Sequence, residues 1–237
     1  QRQMCIRDSS CLAFAAALTA CTTTPPAPAL SPGVDWVANS PGWAEEAEAV
    51  YAEAGAYVEA VAAAREPKSW AVILDVDETV LNNVEYQVRL ETTGDTYTPE
   101  SWHAWTAEKS APPVPGVIDF VEKVNALGGH VALVTNRADS EQLWTEENLS
   151  DVGLTRHDDF RVLLTRARPY GPSDKTARFA LVPSMLAVQG YPGVEVVAFV
   201  GDNEGDKPED LSGAEFFCID QGAMYGEPCA AVPGPGR

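Results

Sequence analysis

Residues 72–83 read VILDVDETVLNN. Val72 to Leu74, with Trp70 and Ala71 before them, make a short apolar run of strand length. A strand with no polar alternation is one covered on both faces, which is the habit of parallel sheets. Two aspartates, Asp75 and Asp77, then arrive one residue apart. Residues i and i+2 of an extended chain point to the same side. Both carboxylates are therefore expected to address one place just beyond the carboxyl end of the strand, where open α/β sheets bind their ligands.

Similar apolar runs recur at 131–135, 161–165, 195–200 and 215–219, and helical patterns lie between several of them, at 116–127, 139–150 and 174–189, with Pro183 as a candidate break in the last. Strands alternating with helices predict an α/β fold with a mainly parallel sheet and helices on both faces. Upstream, Trp43, Ala47, Val50, Tyr51, Ala54, Tyr57, Val58 and Val61 fall on one helical face that Pro67 terminates. Residues 84–115 break the alternation and carry Tyr86, Tyr97, Trp102, His103 and Trp105 before the proline-rich APPVPG. With residues 34–66 they are expected to build a small, mostly helical cap.

Other strands also end in polar residues. The run at 131–135 leads into Thr135-Asn136-Arg137, and the one at 195–200 into GDNEGD, which holds Asp202 and Asp206; Lys175 stands at an expected helix start. Carboxylates gathered at one point repel unless a cation neutralises them. Magnesium suits such a set, being a hard ion that takes oxygen ligands. A calcium-binding EF-hand would need Gly at the sixth loop position and Glu at the twelfth. Counted from Asp75 these are Val80 and Tyr86, and from Asp202 they are Lys207 and Gly213, so that reading fails twice. Turn or helix capping explains any one aspartate but not the whole set in this order. Neither a Ser-His-Asp nor a zinc pattern is present; His130 and His157 read as structural, and His103 as a residue within reach of a ligand.

The formal net charge of -19, with no Lys/Arg run, excludes a nucleic-acid polymer as partner. Residues 1–10 open on Gln1 and are expected to reflect a fragment or a gene-calling error. Residues 11–20, CLAFAAALTA, follow Arg2 and Arg7 and read as the apolar part of a signal peptide, which sets the expected signal at 1–20. Leu18-Thr19-Ala20-Cys21 resembles a bacterial lipobox, in which Cys21 is lipidated. Residues 21–33 then form a Pro/Thr tether, and residues 34–237 the globular domain. Cys218 and Cys229 remain, either bonded or free.

The motif set as a whole resembles the haloacid dehalogenase (HAD) superfamily. It is similar more closely to the class C bacterial acid phosphatases, a family of lipoproteins that includes 5'-nucleotidases. DVDET, the Thr ending the second run, Lys175 and GDNEGD carry the likeness, as do TPESWHAW (98–105), PVPGVIDF (113–120), VTNRADS (134–140) and MYG (224–226). The resemblance implies a HAD-like Rossmannoid fold. It implies Asp75 as nucleophile and Asp77 as general acid and then base. It also implies Mg2+ held by Asp75, the backbone carbonyl of Asp77 and Asp202, with Asp206 in support. Thr135, Asn136 and Lys175 would bind the phosphoryl group. Trp102 and Tyr225, with Tyr86 and Trp105, are candidate aromatic walls for a nucleotide base, although Gln221-Gly222-Ala223 and Lys207 depart from the family pattern around that wall.

The expected function is that of a magnesium-dependent acid phosphatase acting on small phosphomonoesters, foremost 5'-nucleotides, through an aspartyl-phosphate. It would sit at the cell envelope, anchored through Cys21 at the outer membrane, with homodimer formation left open. The alternatives are a lipoprotein that binds a phosphorylated ligand without turnover, and a phosphotransferase of the same fold.

Overall fold

The computed structural model describes residues 29–167 and 172–229. The expected signal and Cys21 lie outside them. Five strands, β1 (Trp70–Leu74), β2 (His130–Ala138), β3 (Val162–Arg166), β4 (Glu195–Gly201) and β5 (Glu215–Cys218), form one sheet in the order β3-β2-β1-β4-β5. All four pairings are parallel. The apolar runs found in the sequence are these five strands, displaced at their ends by a few residues at most.

Alternation along β1 shows why the strand reads as continuously apolar. Trp70, Val72 and Leu74 join one core together with residues of α2 (Pro41–Ala63) and α5 (Val117–Ala126), while Ala71 and Ile73 join a second core with Phe179, Val182 and Leu186 of α7 (Thr176–Val188). Both faces are covered, so no position on the strand can be polar without burying that polarity.

Helix α2 starts at Ser40, whose side chain accepts the Gly42 N–H at 3.2 Å, and Pro41 occupies the first turn, where its missing N–H is harmless. Its buried face is Trp43, Ala47, Tyr51, Ala54, Gly55 and Val58. This helix packs on α5, β4 and β5, whereas the short α1 (Pro32–Asn39) packs on α3 (Val84–Thr93). Residues 34–66, expected together in the cap, are thus divided between the cap side and a sheet face. The cap proper is α3 and α4 (Pro99–Glu108), the latter begun by a reciprocal Thr98–Ser101 capping box.

Two local expectations are corrected. Pro183 does not break α7, which runs through it. An interior proline costs a helix about 3 kcal/mol, and here the burial of Phe179, Val182 and Leu186 against the sheet offsets it. The second run of the sequence does not end at Thr135: β2 continues to Ala138, and its register with β3 shifts between Val134 and Ala138. A bulge of this kind re-aims side chains near the end of a strand, and Thr135, Asn136 and Arg137 occupy it.

Candidate active site

The carboxyl ends of β1, β2 and β4 open into a cleft of about 620 Å³ walled on its far side by the cap. Asp75 follows β1 directly, with its amide bonded to Val200 O of β4 at 3.0 Å. Asp75 and Asp77 both line the cleft, while Val76 between them is fully buried in the core. The loop is held from below by Tyr51 of α2, whose hydroxyl donates to Thr79 O at 2.6 Å.

From β4 come Asp202 and Asp206. The carboxylate of Asp206 turns back to accept the amides of Asp202 and Asn203 at 3.2 and 3.0 Å. Gly201 permits this fold-back, since a Cβ there would lie 2.2 Å from the Asp206 Cβ. Carboxylate oxygens of Asp75, Asp202 and Asp206 gather within 4.8 Å of one another, and all three residues are buried. Among them sits the equally buried Lys175, just ahead of α7, its Nζ bonded to Asp75 Oδ1 and, at 2.6 Å, to Asp206 Oδ1.

The electrostatics follow from burial. Desolvation pushes the Asp75 carboxyl up to about 7, with Lys175 opposing and Asp206 and Asp77 adding to the rise. Desolvation also raises Asp202 well above the usual carboxylate range, reinforced by Asp206 and Asp75. Burial alone would lower Lys175, but Asp75 and Asp206 outweigh it and hold the ammonium above its ordinary value. The Oδ2 of Asp202 is buried and has no hydrogen-bond partner among the described residues. An all-carboxylate donor set with one orphaned buried oxygen fits a hard divalent cation such as Mg2+.

Asp77 is held differently. Its Oδ1 accepts Arg137 Nε at 2.8 Å and Asn83 Nδ2 at 3.0 Å, and its Oδ2 lies 3.4 Å from Thr135 Oγ1. Thr135 is buried behind Asp77 and also accepts the Arg137 amide at 3.1 Å. Asn136 reaches the cleft itself, with its Oδ1 accepting Arg178 Nη2 at 2.6 Å, and Arg178 bonds Thr135 O as well.

On the aromatic side, Trp102 and Tyr225 line the cleft as expected, joined by Tyr97. Tyr86 and Trp105 do not. They are buried in the cap, with the Tyr86 ring 5.2 Å from Trp102 and 6.1 Å from Trp105. Nor does His103 face the cleft: its ring lies 4.6 Å from Trp144 and its Nδ1 3.3 Å from Glu141. Tyr225 is placed by two devices. Gln221, fully buried, bonds the Tyr225 carbonyl at 2.6 Å and accepts its amide at 3.3 Å. Cys218, the last residue of β5, is bonded to Cys229, which closes the loop that carries Tyr225. The atypical Gln221 that put this wall in question in the sequence is therefore the residue that holds it.

Several lining or supporting residues escaped sequence reading. Arg137 reads in the sequence only as the end of a strand; its pairing with Asp77 spans 60 positions and leaves no local signal. Arg166 ends β3 and lines the cleft, the same position by which the other strand ends were found. Asn83 and Glu78, both fully buried, gave no signal beyond their closeness to the motif.

The family described as HAD superfamily, subfamily IIIB (acid phosphatase) matches residues 2–228. Acid phosphatase 1 of Solanum lycopersicum is 28% identical over 175 residues, covering 73% of this chain and 64% of that protein. Vegetative storage protein 1 of Arabidopsis thaliana is 24% identical over 185 residues, covering 77% of this chain and 65% of its own length. The class C acid phosphatase from Bacillus anthracis is similar in structure, with a TM-score of 0.68 at 25% identity, covering 82% of this chain and 84% of that one.

Proposed function

The chain belongs to the HAD superfamily, subfamily IIIB, the acid phosphatases, and on that premise we propose that it hydrolyses small phosphomonoesters through a phosphoryl group carried transiently on Asp75. The observation that carries this reading is the buried cluster of Asp75, Asp202 and Asp206 around Lys175, with Asp77 on the same wall of the cleft. Asp75 attacks phosphorus as the bond to the leaving oxygen breaks, and Asp77 supplies the proton that this oxygen takes up. Asp77 then takes a proton from water, whose oxygen displaces Asp75 and releases phosphate. Lys175 offsets the charge of the transferring group, and Asn136 at the cleft wall helps to position it. Asp75, Asp202 and Asp206 would hold Mg2+, whose part is to screen carboxylate from phosphate during attack.

Trp102, Tyr97 and Tyr225 support a flat, stackable substrate body, and 5'-nucleotides are the proposed class. Stacking on an aromatic face contributes about 1–3 kcal/mol per base. A nucleoside 5'-monophosphate should therefore exceed ribose 5-phosphate in kcat/KM by about tenfold or more, and Trp102→Ala should erase most of the difference. Equal rates for the two esters would remove the nucleotide assignment and leave the chemistry. We further propose export and anchoring through Cys21 at the cell envelope. The Cys218–Cys229 disulfide supports an oxidising compartment, and radiolabelled palmitate incorporation lost in Cys21→Ser tests the anchor.

The direct test is release of phosphate from 4-nitrophenyl phosphate with Mg2+ and with chelator. Release with the ion and none with chelator is expected; tight binding without release would favour a capture protein. A companion result concerns pH. The carboxyl of Asp75 titrates near 7 in the folded protein against about 3.8 when free. Its contribution to metal-free stability is therefore complete below about 4 and is lost as pH rises through about 7. The melting temperature in chelator should fall over that window relative to the same protein in Mg2+. Parallel curves would mean that the carboxylates are not the ion's ligands.

A further inference from the structure

Asn83 stands between the motif loop and the cap, at the position preceding the first turn of α3. An asparagine there ordinarily accepts the free amides of that turn, yet this side chain makes no such bond. It is fully buried and directed inward instead. Its Oδ1 accepts Trp105 Nε1 at 2.8 Å and Arg137 Nη2 at 3.2 Å, and its Nδ2 donates to Leu81 O at 3.2 Å and to Asp77 Oδ1 at 3.0 Å. An indole N–H and a guanidinium can only donate. The amide oxygen must therefore face them, and the NH2 must face Asp77. The chemistry of the partners leaves the amide one orientation.

The same Asp77 oxygen receives Arg137, with Nε donating at 2.8 Å and Nη2 also 2.8 Å away. Arg137 is itself fixed, buried to 2% exposure and with Nη1 bonded to Thr145 Oγ1 at 3.3 Å. Oδ1 thus faces donors from two directions and has no place for a hydrogen of its own. The other oxygen, Oδ2, has one long contact, the 3.4 Å to Thr135. A guanidinium alone is satisfied by either oxygen of a carboxylate; the asparagine removes that symmetry.

We propose that Asn83 and Arg137 are positioning residues for Asp77, holding Oδ1 so that Oδ2 carries the transferable proton toward the leaving oxygen. This rests on the reading of Asp77 as proton donor. In the step itself the bond from phosphorus to the leaving oxygen breaks with its electron pair on that oxygen. The Oδ2–H bond then gives up its proton to it, and the carboxylate left behind keeps Arg137 and Asn83 as partners. Trp105 links the arrangement to the cap, since its indole N–H fixes the same amide and its ring packs on Tyr86, which in turn meets Trp102 at the cleft.

Asn83→Asp tests this, because it exchanges the NH2 donor for an oxygen with no change of size. Two esters separate positioning from general damage. 4-Nitrophenyl phosphate leaves as a stable phenolate that needs little protonation, whereas phenethyl phosphate leaves as an alkoxide that needs a proton. The quantity to measure is kcat/KM, which reports the first phosphoryl transfer, beside a melting curve. For Asn83→Asp we expect about a 100-fold loss on the alkyl ester and less than about fivefold on the aryl ester. Trp105→Phe, which keeps the ring and drops the N–H, should shift the ratio the same way by less. Asp77→Asn is the reference and should show the largest split. If Asp77→Asn discriminates between the esters and Asn83→Asp lowers both equally, the positioning role is overturned while Asp77 keeps its own. If Asp77→Asn itself fails to discriminate, the proton-donor reading falls and this inference with it. Should Asn83→Asp not fold, Arg137→Lys keeps the charge without the fork, and an equal loss on both esters there overturns the proposal.

Discussion

Asp75→Asn is expected to lower kcat/KM for an aryl phosphate by about 10⁴-fold or more, roughly 5–6 kcal/mol of transition-state stabilisation. The substitution is nearly isosteric, and an amide oxygen can still accept Lys175, so the loss would reflect chemistry rather than shape. What disappears is the anionic oxygen that attacks phosphorus. The fold should survive. Asp75 is a buried carboxylate whose ionisation is opposed by desolvation and by Asp206 and Asp77, and a neutral side chain there relieves that repulsion. In chelator at pH 8 the variant should melt no lower than the parent. Turnover within tenfold of the parent, measured on protein free of contaminating phosphatase, would remove Asp75 from the nucleophile's role.

The second large effect is expected from Lys175→Met, which keeps an unbranched apolar stem and removes the charge. Lys175 is 3% exposed and bonded to both Asp75 and Asp206. Removing one partner of a buried ion pair costs about 3–5 kcal/mol, because the charge left behind has neither water nor counter-ion. For a domain of this size that corresponds to about 10 °C or more in the melting temperature. The drop should be largest in chelator and should shrink when Mg2+ is added, since a divalent ion can neutralise the carboxylates that the ammonium no longer meets. Turnover in Mg2+ should fall by about 10³-fold, through loss of a fixed cation beside the transferring group. A melting temperature in chelator equal to that of the parent would show that Lys175 does not neutralise the cluster.

Much of the site was legible because its signal is local. A continuous apolar run ending in Asp-x-Asp reports a covered strand and two side chains on one side of it, and both properties are set by the two-residue period of extended backbone. Asp202 and Asp206 follow β4 by the same logic. Lys175 was legible only as a cation near a helix start; that it lies buried between Asp75 and Asp206 depends on how α7 packs over β2 and β3. The aromatic residues were less readable still. TPESWHAW presents Trp102 and Trp105 as equals, yet Trp102 reaches the cleft and Trp105 turns into the cap to bond Asn83. Three residues apart on a helix, they share a face only in part, and Tyr86 packs against both of them.

The chain's own order of residues determined the sheet, its parallel sense and the end at which the acids gather, because burial on two faces and strand-helix alternation are properties of sequence pattern. Tertiary structure alone decided which oxygens meet. The bulge in β2 turns Arg137 onto Asp77, Gly201 lets Asp206 close on Asp202, and Gln221 with the Cys218–Cys229 bond brings Tyr225 to the cleft. The first of these joins residues 60 positions apart in the chain; the other two close short loops, Asp202 to Asp206 and Cys218 to Cys229. No periodicity encodes a contact between residues sixty positions apart; it exists only once the two faces of the sheet have been covered and the loops above them have a fixed floor.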